Sequence, residues 1–217
     1  MTFPGYSKLA IKALAAAALV TMVAAVPAAQ AARPTATATG PLTIWGGSLP
    51  FTRNFNPFAP QPPYYLTTNG MYEPLYVVSN IAQKQIPWLA TSYTWSKDLK
   101  TLTFTIRKGV RWSDGQPLTP KDVVFSLTMG RKNSTVNPVG LWGPTGLASS
   151  VTSSGDTVSI HFKKEDVTTF AGIVNNQPIV PEHIWARIPA KTWNTWTNPN
   201  PVASGPFTQV KAVSSSS

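Results

Sequence analysis

Two short stretches of strict alternation constrain this chain most. Leu102, Phe104 and Ile106 are separated by Thr103 and Thr105, and Val158, Ile160 and Phe162 by Ser159 and His161. Side chains along a strand point to opposite faces in turn, so each stretch predicts a strand with one apolar and one polar face. Each also has a partner across a turn. Ser92 to Trp95 precedes the first strand across Lys97-Asp98-Leu99-Lys100, and Ala148 to Thr152 precedes the second across Ser153-Ser154-Gly155-Asp156. Two hairpins are the expectation.

Between them lies the clearest helix start in the chain. Thr119 suits an N-cap, Pro120 suits the first helical position, where a missing N–H costs nothing, and Asp122 falls three residues after the cap. Val123, Val124 and Leu127 then provide an inward face up to Gly130. Hairpin, helix and hairpin in this order predict a mixed α/β (α+β) fold. Eight Trp, nine Phe and six Tyr supply bulky apolar surface for its core.

The flanking segments are less regular. Leu42 to Trp45 reads as a short strand ended by Gly46-Gly47, and Pro50 to Pro63 as a long loop through Asn54 and Asn56. Loops of that length in a compact domain are usually functional or disordered, and the aromatic Phe51, Phe55 and Phe58 argue against disorder. Tyr64 to Tyr76 reads as helical, interrupted at Gly70 and Pro74.

The N-terminus has the three parts of an export signal. Lys8 and Lys12 supply positive charge, Ala13 to Val26 is apolar but shorter than the roughly 20 residues of a spanning helix, and Ala29-Gln30-Ala31 suits a signal peptidase. Residues 1–31 are therefore expected to be cleaved, 32–41 to form a flexible leader, and 214–217 to be a serine tail. A periplasmic or extracellular location follows. Cysteine is absent, which excludes disulfides, thiolate metal sites, a cysteine nucleophile and a lipid-modified cysteine. The net charge is +10, but basic residues such as Arg53, Lys84, Lys97 and Arg107 stand singly, without the stripe that phosphate tracking needs. The charge predicts a solvated surface and no nucleic-acid partner.

Pro87-Trp88-Leu89-Ala90, the run Gly109-Val110-Arg111-Trp112-Ser113-Asp114-Gly115-Gln116-Pro117-Leu118-Thr119, and Asp122-Val123-Val124-Phe125-Ser126 together resemble the signature of solute-binding protein family 5. Tyr72-Glu73-Pro74-Leu75, Ile179 to Trp185 and Ser204-Gly205-Pro206-Phe207 are similar to further stretches of it. The family contains dipeptide, oligopeptide, nickel and cello-oligosaccharide binders. The resemblance implies a periplasmic-binding-protein-like fold of two lobes that close on ligand, with residues 42–213 holding most of the first lobe. It implies a longer parent chain, and weak or no binding by this part alone. Trp112-Ser113-Asp114-Gly115 is expected to be scaffold: Gly115 accepts positive φ, Asp114 bonds back to the backbone and Trp112 buries its ring beneath the turn.

By the same resemblance, Trp45, Gly46, Tyr72 and Glu73 are the candidate ligand-binding residues, with Phe51 and Phe55 weaker ones. The expected ligand is a peptide, or alternatively an oligosaccharide. The expected partner is an ABC permease, which supplies the sole membrane association. No cofactor, metal or catalytic residue is implied. An exported hydrolase is the distant alternative, but His161 and His183 are its only histidines, and no Gly-x-Ser-x-Gly elbow or His-Glu-x-x-His pair accompanies them.

Overall fold

The computed structural model describes residues 53–60, 70–79 and 81–207. The export signal, leader, first strand, Trp45, Gly46, Phe51 and serine tail lie outside these residues. Within them, strands β1 (Tyr76–Ser79), β2 (Lys84–Pro87), β3 (Ala90–Trp95) and β4 (Thr101–Ile106) precede helix α1 (Pro120–Thr128). Strands β5 (Ala148–Ser154) and β6 (Thr157–Phe162) and helices α2 (Phe170–Asn176) and α3 (Glu182–Trp185) follow. Short 3-10 turns occupy Met129–Arg131, Ser134–Val136 and Ala190–Thr192.

The two expected hairpins join into one antiparallel sheet of order β3-β4-β6-β5. Its central pair places Leu102 opposite Ile160 and Phe104 opposite Val158, so both alternating strands present their apolar residues to the same face. All four are fully buried. Helix α1 packs against β5 and β6, with Val123 and Leu127 inside and Val124 half-buried. The opposite face carries hydroxyls: Thr103 bonds Ser159 at 2.8 Å, Ser92 bonds Thr105 at 3.0 Å, and the His161 ring lies between Thr101 and Thr152. His161 thus sits on the polar face, as its place in the alternation requires.

The helix start forms as expected. The Asp122 carboxylate accepts the Thr119 backbone N–H at 2.8 Å and the Thr119 hydroxyl at 3.2 Å. The helical reading of Tyr64–Tyr76 needs correction over its described part. From Tyr72 the backbone is irregular, and Tyr76 opens β1, paired with Pro87. Pro74 lacks a helix-forming N–H, and the Leu75 carbonyl is taken by the N–H groups of Trp88 and Ala90.

Core packing falls into two clusters. One lies beneath the sheet and includes Phe104, Trp112, Leu127 and Ile173. The other is largely aromatic and gathers Phe55, Phe58, Tyr72, Trp185 and Trp193 around Met71 and Met129. Segments far apart in the chain meet in the second cluster, and it supports the candidate site.

Candidate functional site

The segment Gly70 to Glu73 is held by the chain near residue 205. The Met71 carbonyl accepts the N–H groups of Ser204 (3.1 Å) and Gly205 (2.9 Å), and the Gly70 carbonyl accepts that of Phe207 (3.2 Å). A Cβ at Gly205 would stand 2.3 Å from the Gly70 oxygen, so only glycine allows the two backbones to approach this closely.

Tyr72 and Glu73, adjacent in sequence, have opposite environments. The Tyr72 ring lies inside the aromatic cluster with 1% exposure, and its hydroxyl accepts a hydrogen bond from Asn198 Nδ2 at 2.5 Å. Burial raises the Tyr72 phenol well above its ordinary pKa, against a smaller lowering by the Asn198 bond, so it stays neutral. As a side chain it belongs to the core. Glu73 is half-buried; its N–H faces the Ser204 hydroxyl at 3.4 Å, and its Oε1 accepts the Trp88 indole N–H at 2.7 Å. Phe55 is buried in the aromatic cluster.

Trp88 is the residue that sequence reasoning missed here. It lies in the signature stretch Pro87-Trp88-Leu89-Ala90, from which no candidate ligand-binding residue was taken, yet 41% of it is exposed. Its backbone is pinned on both sides, its N–H donating to the Leu75 carbonyl and its carbonyl accepting Arg107 Nε at 2.6 Å. Its indole N–H is spent on Glu73, so the ring faces are what it offers to solvent. Glu73 and Trp88 are fifteen positions apart in the chain, and a hairpin between them brings the two together; no local pattern announces that contact.

The scaffold turn behaves as its residues predict. Gly115 has φ 87°, the Gln116 N–H donates to Asp114 Oδ1 at 3.0 Å, and Trp112 is 2% exposed. The turn is also docked to α3, because Asp114 Oδ2 lies 2.7 Å from His183 Nε2. Burial raises the Asp114 carboxyl, but the hydrogen bonds from His183 and from the Gln116 N–H outweigh it and hold its pKa below the ordinary 3.8. A carboxylate depressed in the folded state adds stability that is present above its unfolded pKa and lost as pH falls through its folded one. Asp114→Asn is therefore expected to melt below wild type at neutral pH, with the gap closing as pH falls through and below 3.8. Melting curves across that range check this, and a gap constant with pH would exclude the carboxylate charge as its source.

Among the described residues no group of three or more His, Cys, Asp or Glu side chains is placed to hold a metal ion, and no helix is long and apolar enough to cross a membrane. Both histidines have hydrogen-bond partners that account for their positions.

A profile of bacterial extracellular solute-binding proteins, family 5 Middle, matches residues 84–217. The chain is 35% identical over 172 residues to a probable ABC transporter-binding protein of Deinococcus radiodurans, covering 71% of this chain and 28% of that protein. It is 31% identical over 160 residues to a putative ABC transporter peptide-binding protein of Brucella ovis, covering 72% and 29%. The crystal structure of a periplasmic oligopeptide-binding protein of an oligopeptide ABC transporter from Thermotoga maritima superposes with a TM-score of 0.71 at 30% identity, covering 78% of this chain and 31% of that one. In its mannohexaose-bound form the TM-score is 0.66 at 34% identity, with 75% and 30% covered. The chain thus spans less than a third of the length of each. The mixed α/β architecture is that of these binding proteins, and with the profile matching more than half of its residues, the chain belongs to the bacterial extracellular solute-binding proteins of family 5.

Proposed function

We propose that the protein captures peptides outside the cytoplasmic membrane and delivers them to an ABC permease, without chemical conversion. The observation that carries this reading is the likeness of its fold, over 78% of the chain, to an oligopeptide-binding protein. The name of the Brucella relative points the same way. In this reading Trp45, Gly46 and Glu73 form part of the ligand-facing wall and Tyr72 supports it from the core. The signal in residues 1–31 exports the protein, and the permease is its link to the membrane.

One observation favours an oligosaccharide as a second reading. Trp88 presents an orientation-locked indole with its N–H already bonded, and such a face suits stacking on a sugar ring. The likeness to a protein crystallised with mannohexaose is consistent with it.

Thermal shift of the full natural polypeptide separates the two. A peptide mixture is expected to raise the melting temperature, since ligand at a hundredfold excess over Kd adds about 2.7 kcal/mol of stability. A shift with manno- or cello-oligosaccharides alone would select the second reading. Release of cleavage products from bound peptide would overturn both.

A further inference from the structure

Two buried asparagines tie the loop 53–58 to the segment 193–200 in a reciprocal way. Asn56 is fully buried, and its Nδ2 donates to the carbonyls of Trp193 at 2.7 Å and Trp196 at 2.6 Å. Its Oδ1 accepts the Phe58 N–H at 2.8 Å, which folds the loop back on itself. From the other side, Asn198 is 1% exposed, and its Nδ2 donates to the Phe55 carbonyl at 3.1 Å and to the Tyr72 hydroxyl. The Phe55 N–H donates to the Thr197 carbonyl at 2.8 Å between them.

A side-chain amide nitrogen has two protons to donate, and in both asparagines both are used on another segment. Asn198 does this from φ 47°, a left-handed conformation that asparagine tolerates better than other residues with a side chain. The same side chain also reaches Tyr72, and through it the backbone that carries Glu73. One residue therefore braces both the loop 53–58 and the segment that carries Glu73. Neither asparagine is exposed, so neither contacts ligand, and the bonds are made to backbone carbonyls and a phenol rather than to anything that could select a ligand.

We propose that the Asn56–Asn198 clasp pre-orders the loop 53–58 and the Tyr72–Glu73 segment before ligand arrives, with Asn198 as a positioning residue. This rests on the capture function proposed above. Segments already held in their bound arrangement lose less freedom on binding, so the clasp raises affinity without touching the ligand. Its loss lowers the fraction of binding-competent molecules and weakens every ligand by the same factor. A contact residue, in contrast, discriminates among ligands.

The test is Asn198→Gly in the full natural polypeptide. Glycine keeps the left-handed backbone and removes both donors. The expected result is at least about tenfold weaker binding of each peptide tested, since two hydrogen bonds that favour the competent state are lost, each on the order of 1 kcal/mol, together with faster amide exchange at Phe55 and Phe58. A purely structural role lowers the melting temperature but leaves Kd, measured well below melting, unchanged; that outcome overturns the proposal. Tyr72→Phe removes only the hydroxyl and keeps the ring, so it tests the same link if Asn198→Gly does not fold, with a smaller uniform loss expected and equal affinity overturning it. If wild type binds and both variants bind equally, the clasp fails alone. If wild type binds neither peptides nor oligosaccharides, the capture function fails and the clasp's role in it fails too.

Discussion

Trp185→Ala is expected to lower the stability of the domain by about 3–5 kcal/mol, the range for deleting a buried large aromatic side chain. Trp185 is completely buried and joins elements that share no local contact. Its ring meets Phe58 edge-on with centroids 5.4 Å apart and Trp196 edge-on at 5.0 Å. The Trp185 carbonyl accepts the Trp193 indole N–H at 3.0 Å, so the cavity left by alanine would open beside a fixed hydrogen bond and two fixed rings. Such a site collapses poorly, which places the loss toward the upper end. A domain is stable by about 5–15 kcal/mol in total, so the loss is a large fraction of what holds the fold together. Urea denaturation measures this as a fall in midpoint at constant slope. A loss below about 1 kcal/mol would mean that the aromatic cluster is not packed as described.

Asp122→Ala is expected to have the next largest effect, about 2–5 kcal/mol, from three part-buried donors left without an acceptor. One Asp122 oxygen accepts the Thr119 N–H and hydroxyl, and the other accepts the Glu182 N–H at 2.9 Å. The carboxylate therefore closes the first turn of α1 and also anchors the first residue of α3. Its negative charge lies at the positive end of α1, which adds to the loss. Asp122→Asn keeps one acceptor oxygen and is expected to fall between alanine and wild type. Exchange at the amides of Thr119 and Glu182 separates the two roles. Acceleration at Thr119 alone would show that α3 is held by other contacts, Trp185 above all.

The hairpins were legible because one-sided burial leaves a period of two in the sequence, and that period holds at Leu102, Phe104 and Ile106 and again at Val158, Ile160 and Phe162. The α1 start was legible because capping is a matter of four consecutive residues. Strand β2 was not legible. All four residues of Lys84–Pro87 are exposed, so nothing alternates between a buried and a wet face. Helix α2 was missed as well, since its seven residues span only about two turns. Its polar Asn175 and Asn176 leave too short a pattern to read.

At the candidate site the division is sharper. Tyr72 and Glu73 were marked together because they are neighbours in a motif, yet the fold sends one ring into the core and leaves the other side chain half-buried beside Trp88. Asn198 gave no signal, because its partners Phe55 and Tyr72 lie 143 and 126 residues away.

By itself the sequence determined the four strands of the two hairpins, where α1 begins, which turn needs glycine and which family the chain resembles, because each depends on residues close together in the chain. Only the tertiary structure decided that β4 pairs with β6, that Asp114 meets His183, and that two asparagines lock a loop to a distant segment. Those contacts are chosen by which surfaces can be buried together while their polar groups find hydrogen-bond partners, a condition on the whole chain that the buried indole N–H of Trp112 alone fails among the side chains of the described residues.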